Sequence, residues 1–143
     1  MLELIKRRNV DLLIEQFWKK GYLTISRKYG TYLPEPSKVG GFDVDIVAKY
    51  KKNYAIGITL TNADLNDHKL VEKLNFLGTR QTKYTNKRVL LFIGVPINFY
   101  NNARILIDKL ENEAKKNVRL FSINDKPILQ RRTVKDSEKI LFA

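Results

Sequence analysis

Residues 41–60 read GFDVDIVAKYKKNYAIGITL. The first half of this segment, Phe42 to Tyr50, places apolar side chains at every second position, which is the period of a β-strand. Its second half, Tyr54 to Leu60, is predicted to be a second strand. Only the short linker Lys51-Lys52-Asn53 separates the two halves. We therefore predict a β-hairpin with a tight turn.

Helices and further strands are predicted on both sides of this hairpin. Val10, Leu13, Ile14 and Phe17 have the i, i+3, i+4, i+7 spacing of an amphipathic helix. The predicted helices cover residues 2–20, 65–79 and 101–116, and the predicted strands cover residues 22–27, 42–50, 54–60, 88–95 and 117–123. The order α-β-β-β-α-β-α-β predicts an α/β fold with a mixed central sheet flanked by helices.

The length of 143 residues fits one domain. We assign residues 1–123 to an α/β domain and residues 124–143 to a basic C-terminal tail. The chain has no cysteine, which excludes disulfides and cysteine-based zinc sites. No apolar run approaches the ~20 residues needed to span a bilayer, and no signal peptide is evident. We therefore expect a cytoplasmic protein without a membrane partner.

Charge is the strongest feature of the composition. Lys and Arg number 27 against 15 Asp and Glu, which gives a net charge of +12. Such a chain favours polyanions, because each phosphate that it neutralises releases condensed counterions. Nucleic acid is the favoured partner. An acidic protein partner, or a charge that serves solubility alone, is the alternative.

The hairpin also carries the pattern of a known family. With residues 41–48 on one strand and residues 54–59 on the next, the chain resembles the PD-(D/E)XK nuclease superfamily over residues 11–95, nearest in pattern to archaeal Holliday-junction resolvases. The resemblance implies a restriction-endonuclease-like αβββαβ core. In that family an Asp precedes Ile-Val-Ala, and the next strand carries an acid, any residue and a Lys. The carboxylates bind Mg²⁺, which activates a water, while the Lys stabilises developing charge.

Carried over by position, Asp45 matches the family's first Asp, the acid falls at Gly57 and the Lys falls at Thr59. Gly57 has no side-chain ligand, and Thr59 has no positive charge. The resemblance therefore implies a degenerate active site in which no residue is assigned a catalytic role. We expect no cofactor, with Mg²⁺ bound only if the protein is active.

Other acids could replace the missing ligand. Asp43 and Asp45 lie two apart on one predicted strand, so they point the same way and form a candidate metal-binding pair. Glu72, with Lys69 or Lys73, is a second substitute, because some members of the superfamily take the acid from the following helix. In the alternative interpretation Asp43 and Asp45 form a solvated strand face, and Glu72 pairs with a neighbouring Lys on the helix surface.

A basic connection before the fourth strand is the candidate nucleic-acid contact. Lys and Arg pair with phosphates there, and Tyr and Asn add hydrogen bonds to the backbone. Its candidate residues are Arg80, Lys83, Tyr84, Asn86, Lys87 and Arg88. The alternative is a loop that serves solubility alone. We expect Phe17 and Trp18 in the core and His68, the one histidine, on the surface.

These observations predict a nucleic-acid-binding protein, with DNA as the favoured target. It would have a catalytically degenerate nuclease-like fold and act as an accessory or structural component. The alternative is an active metal-dependent DNA endonuclease whose ligands are relocated to Asp43, Asp45 and Glu72. A protein-interaction module is a third hypothesis. We also expect a homodimer, because related resolvases pair to meet two strands of a branched substrate.

Overall fold

A five-stranded mixed β-sheet with helices on both faces forms the structure, a computed structural model that describes residues 2–123. The predicted basic tail, residues 124–143, lies outside the described residues. The helices are α1 (Leu2–Lys19), α2 (Asn62–Leu65), α3 (Leu70–Gly78), α4 (Tyr100–Ile107) and α5 (Asn112–Asn117), with a 3-10 turn at Ile97–Phe99. The strands are β1 (Leu23–Arg27), β2 (Ile46–Tyr50), β3 (Asn53–Thr59), β4 (Leu90–Pro96) and β5 (Val118–Ile123). The predicted mixed α/β class is confirmed.

The strands are arranged in sequence order. β1, β2 and β3 are antiparallel neighbours, whereas β3, β4 and β5 run parallel. In the hairpin, Tyr50 pairs with Asn53, so the turn contains only Lys51 and Lys52. Each parallel connection carries helices, because a parallel neighbour can be reached only by a crossover.

Helix α1 covers one face of the sheet. Val10, Leu13 and Phe17 are fully buried, as their spacing predicts. The Phe17 ring stacks on Phe92 of β4, with centroids 4.2 Å apart. Tyr22 packs edge-on against both rings, and burial raises the pKa of its phenol above the ordinary value. Helices α3, α4 and α5 cover the other face, over a larger cluster of aliphatic side chains.

Two predicted helices are each divided in the structure. The helix predicted over residues 65–79 is interrupted after Leu65. The polar residues Asn66 to Lys69 form a turn there, in which the Asp67 side chain accepts a hydrogen bond from the Lys69 backbone. Thr61 and Asp64 form a capping box that starts α2. The helix predicted over residues 101–116 is interrupted at residues 108–111, where the Leu110 side chain is buried in the core. None of the described helices is long and apolar enough to cross a membrane.

Two further expectations were wrong. The strand predicted over residues 42–50 begins only at Ile46, and residues 39–42 form an isolated bridge before it. Trp18, expected in the core, is 71% exposed. It follows Phe17 by one residue on α1, and a helix turns each successive residue by about 100°. Of the two aromatic side chains, Phe17 therefore faces the sheet and Trp18 does not.

The sheet has two ends with different surroundings. The first contains the carboxyl ends of β3 and β4 and the start of α1, and we call it the Asp45 end. The opposite end contains the hairpin turn, the end of α1, the connection over residues 80–89 and the start of β5. We call this opposite end the basic end, because lysines or arginines lie on each of these segments.

Candidate functional site

Asp45 lies at the Asp45 end of the sheet and is only 5% exposed. It precedes β2 by one residue, and its backbone N–H donates to the Gly57 carbonyl at 2.9 Å. Its Oδ2 accepts two hydrogen bonds from Thr59, one from the backbone N–H at 2.7 Å and one from Oγ1 at 3.0 Å. The antiparallel pairing of β2 with β3 thus supplies two donors to this buried carboxylate.

Two lysines complete the surroundings of this carboxylate. The Lys6 Nζ lies 3.3 Å from Oδ2 of Asp45 and also donates to the Thr59 carbonyl at 2.8 Å. The Lys28 Nζ lies 3.9 Å from Oδ1, and its backbone N–H donates to the Asp45 carbonyl. We call Lys6, Lys28, Asp45 and Thr59 the Asp45 cluster. Its cations are part of the protein, so the buried charge is compensated without an added ion.

The acids proposed as metal ligands are only partly brought together. Asp43 is exposed and lines the same cavity as Asp45, a space of about 340 Å³ that also borders Asp64 and Asp67. Asp64 is held in its capping box. Glu72 is exposed on α3 and is not part of that cavity wall. Within residues 2–123, no three His, Asp or Glu side chains are grouped so that they could hold a metal ion.

Gly57, the position that the resemblance assigns to the acid, lies beneath α1. A Cβ at this position would lie 2.6 Å from Cε2 of Phe17 and 3.1 Å from Cβ of Ile46. Glycine is thus required for the close approach of α1 to β3. A longer side chain has no space to reach Asp45 from here. On β3 it is Thr59 that contacts the Asp45 carboxylate.

The basic connection folds back on itself before β4. Its two arms are joined by hydrogen bonds from the Val89 N–H to the Arg80 carbonyl at 3.1 Å and from the Thr82 N–H to the Lys87 carbonyl at 2.8 Å. Asn86 adopts a left-handed conformation with φ of 53°, which asparagine tolerates better than most residues. The tip of the connection is thereby directed into solvent.

The six candidate residues of this connection differ in how they are engaged. The guanidinium of Arg80 lies 3.7 Å from the centre of the Phe76 ring, and its Nε donates to the Phe76 carbonyl. Arg88 forms an ion pair with Glu113 of α5. Lys83, Tyr84, Asn86 and Lys87 are exposed; Tyr84 is 92% exposed. Four of the six are thus presented to solvent without an ion pair to a described residue.

Glu113 holds the base of the connection against α5. Its carboxylate contacts Arg88 and also Lys116, whose Nζ lies 3.3 Å away. The hydrogen bond from Arg88, followed by that from Lys116, lowers the pKa of Glu113 below its ordinary value. This exposed carboxylate is therefore ionised at neutral pH and holds the Arg88 guanidinium in an ion pair.

The structure separates the two sites that the sequence suggested. The connection over residues 80–88 leads into the start of β4, which pairs with Ala55, whereas Asp45 contacts Thr59 at the end of β3. Four residue steps along β3 cover about 13 Å. The candidate nucleic-acid contact and the candidate metal site therefore lie at opposite ends of the sheet.

Sequence reasoning missed Lys6 and Lys28. The signal for Lys6 was present, because it precedes Val10, Leu13 and Phe17 by 4, 7 and 11 residues. A lysine on the buried stripe of a helix needs a partner. No comparable pattern marks Lys28, which follows β1 by one residue. Its role depends on the loop over residues 28–45 returning to the sheet.

No protein-family model matches this chain, and comparisons with curated proteins and with solved structures also return no match. Functional interpretation therefore depends on the geometry and charge of the two ends of the sheet.

Proposed function

We propose that this protein binds nucleic acid, with DNA the favoured target, through the basic end of the sheet. The observation that carries the proposal is the concentration of positive charge at this end. Its basic residues lie at the end of α1, in the hairpin turn, in the connection, and around the start of β5: Lys19, Lys20, Lys51, Lys52, Arg80, Lys83, Lys87, Arg88, Lys115, Lys116 and Arg119.

Few acidic side chains neutralise this surface. Among the described residues, the ion pairs at this end join Glu113 to Arg88 and Lys116. The remaining lysines have no acidic partner within 4.0 Å in the same part of the chain. A phosphate backbone is the polyanion that such an array of exposed lysines, with Tyr84 and Asn86 as added donors, is suited to contact.

We further propose that the chain has a nuclease-like αβββαβ core without cleavage activity and acts as an accessory or structural component. The Asp45 cluster supports this part of the proposal. Oδ2 of Asp45 is occupied by Thr59 and Lys6, and Gly57 lacks both a carboxylate and the space for one. Metal-assisted hydrolysis needs oxygen ligands that remain open to Mg²⁺.

A paired binding and cleavage assay tests the proposed function. Fluorescence anisotropy with labelled DNA should show binding at low salt, while incubation with Mg²⁺ or Mn²⁺ should leave the DNA intact. The variant with Lys83→Glu and Lys87→Glu should bind at least about tenfold more weakly, because it places repulsive charge beside the phosphates. The matched control is Lys69→Glu with Lys73→Glu at the Asp45 end, which should bind more tightly than the first variant.

Two outcomes would overturn the proposal. The absence of binding at low salt would remove the nucleic-acid function. Metal-dependent nicking that is lost in Asp45→Ala would replace the accessory role with the alternative hypothesis, an endonuclease with relocated ligands.

We also propose that the chain forms a homodimer. The observation that favours self-association is the edge strand β1, on which Leu23 is 63% exposed and Ile25 is 42% exposed. An edge strand with apolar side chains is a template for pairing with a second chain. Light scattering at tens of micromolar should give the mass of two chains, and Ile25→Lys should give one. A monomeric parent protein would refute the dimer.

A further inference from the structure

An exposed tryptophan stands at the basic end of the sheet. Trp18 lies in the last turn of α1 and is 71% exposed, although the neighbouring Phe17 is fully buried. The ring of Trp18 forms no aromatic pair with another described residue. A large flat apolar surface is therefore presented to solvent on a rigid helix.

The turn after α1 brings the end of this helix close to the hairpin, and the Gly21 N–H donates to the Trp18 carbonyl at 2.9 Å. Gly21 has a φ of 92°, and a Cβ at this position would lie 3.1 Å from the Tyr50 ring. The end of the helix thus packs directly against the residue before the hairpin turn. Tyr50 is itself 39% exposed, and its ring lies 5.7 Å from that of Tyr22. Gly21 therefore adjoins both the Trp18 backbone and the Tyr50 ring.

Four lysines directly follow these two aromatic residues along the chain. They lie in two consecutive pairs, Lys19 with Lys20 at the end of α1 and Lys51 with Lys52 in the hairpin turn. The Lys51 Nζ lies 5.4 Å from the centre of the Tyr50 ring. Within the described part of the chain, none of the four has an acidic partner within 4.0 Å. We call Trp18, Lys19, Lys20, Tyr50, Lys51 and Lys52 the Trp18 patch.

The hairpin turn gives an independent indication of function. Lys51 has a φ of 56°, in the left-handed region that two-residue hairpin turns require at this position. Asparagine, aspartate or glycine adopts this conformation at lower cost than lysine. Lys51 therefore carries a positive charge at a position where the backbone favours another residue.

We propose that the Trp18 patch binds a single-stranded segment of nucleic acid. The exposed indole would stack on an unpaired base, and the lysines would contact the phosphates on either side. A duplex hides its base faces within its own stack, so it can use the lysines but not the indole. This inference rests on the proposed function and specifies which nucleic-acid structure this part of the basic end recognises.

The test uses Trp18 as its own reporter, because it is the one tryptophan in the chain. A single-stranded oligothymidylate of about 20 nucleotides covers more than one typical site size for such surfaces. Adding it to the full chain should quench the tryptophan fluorescence. A duplex of the same length should bind in anisotropy measurements but quench less.

Variants separate stacking from charge. Trp18→Ala should lower the ratio of single-strand to duplex affinity by about tenfold, within the range for loss of one stacked base. Trp18→Phe should restore part of that ratio. Lys51→Glu with Lys52→Glu should weaken single-strand binding and reduce its salt dependence. Ile105→Ala removes another exposed apolar side chain, on α4, and is the control that should leave both affinities unchanged.

The outcomes distinguish this inference from the proposed function. Suppose that the oligothymidylate binds without quenching the tryptophan fluorescence, and that Trp18→Ala leaves the ratio of single-strand to duplex affinity unchanged. The Trp18 patch is then refuted, and the proposed function stands. If neither nucleic acid binds at low salt, the proposed function itself fails, and this inference fails with it. Circular dichroism of each variant verifies that the fold is retained.

Discussion

Lys6 determines what the buried carboxylate of Asp45 can do. Its Nζ is shared between Oδ2 of Asp45 and the Thr59 carbonyl, at 3.3 and 2.8 Å. A metal ion at Oδ2 would have to displace this ammonium group and the hydrogen bonds from Thr59. The cluster is therefore an ionic contact that joins α1 to Asp45 and to the end of β3.

Asp45→Asn should destabilise the protein by about 2 kcal/mol, because it leaves Lys6 half-buried without its counter-charge. Urea denaturation without added metal would measure the change. Asp43→Asn is the matched control, because it removes the same charge from an exposed position and should change the stability by less than about 0.5 kcal/mol. An Asp45→Asn variant more stable than the parent would instead indicate a strained cluster of acids that awaits a metal.

At the scale of elements, the β2–β3 hairpin and the basic connection each have a local restraint. The hairpin turn holds Lys51 with a left-handed backbone. The connection is held to α5 by the contact between Arg88 and Glu113. Lys51, Arg88 and Glu113 are exposed, so substitutions at these residues can test stability and nucleic-acid binding without a change in the core.

Lys51→Gly should stabilise the folded protein by about 1 kcal/mol, because glycine adopts a positive φ without the steric cost of a Cβ. The same substitution should weaken nucleic-acid binding, since it removes one charge from the Trp18 patch. Thermal unfolding and anisotropy on one sample would report both effects. A loss of stability would show that the Lys51 side chain contributes more to the fold than its backbone conformation costs.

Glu113→Gln should strengthen nucleic-acid binding, because it frees Arg88 for a phosphate. The slope of log affinity against log salt should become steeper by about one unit. Asp108→Asn removes the same charge from a residue with no ion pair to a described residue, and it should change the slope less. Equal slopes for the two variants would show that charge alone, and not release of Arg88, matters.

The pH dependence of this contact follows from the lowered pKa of Glu113. Its ionised form is favoured in the folded protein, so the contact with Arg88 is present at neutral pH and is lost as the pH falls through that lowered pKa. The affinities of the parent and of Glu113→Gln should therefore converge at acidic pH. Anisotropy titrations at a series of pH values would detect this convergence.

At the scale of the whole molecule, charge is distributed unequally between the two ends of the sheet. The Asp45 end mixes acids with lysines, with Asp43, Asp45, Asp64 and Asp67 around one cavity. The basic end presents lysines on several separate elements. Association with a polyanion should therefore orient the protein with its basic end towards the ligand.

Nucleic-acid affinity should depend steeply on salt. If about six phosphates are neutralised, the affinity should fall by about three decades between 50 and 200 mM salt. Anisotropy titrations across this range would give the slope. A flat response would contradict a binding mode dominated by phosphate contacts and would require another explanation for the charge of +12.

Several features were determined by the sequence alone, because their causes are local. The hairpin follows from two predicted strands on either side of a short turn, and the buried face of α1 follows from the spacing of its apolar residues. Net charge likewise needs no structure. The mixed sheet was predictable from the order of these elements.

Only the tertiary structure decided how distant residues meet. Lys6 reaches Asp45 and Thr59 across 39 and 53 positions, and no local pattern specifies such a contact. The space above Gly57 depends on where Phe17 packs, so sequence spacing alone could not show that a side chain there is blocked. The crossovers place residues 80–88 at one end of the sheet and Asp45 at the other. The direction of each strand is set by packing and pairing between distant segments. Because β3 and β4 run parallel, the start of β4 and the end of β3 lie at opposite ends of the sheet, and so do the two candidate sites.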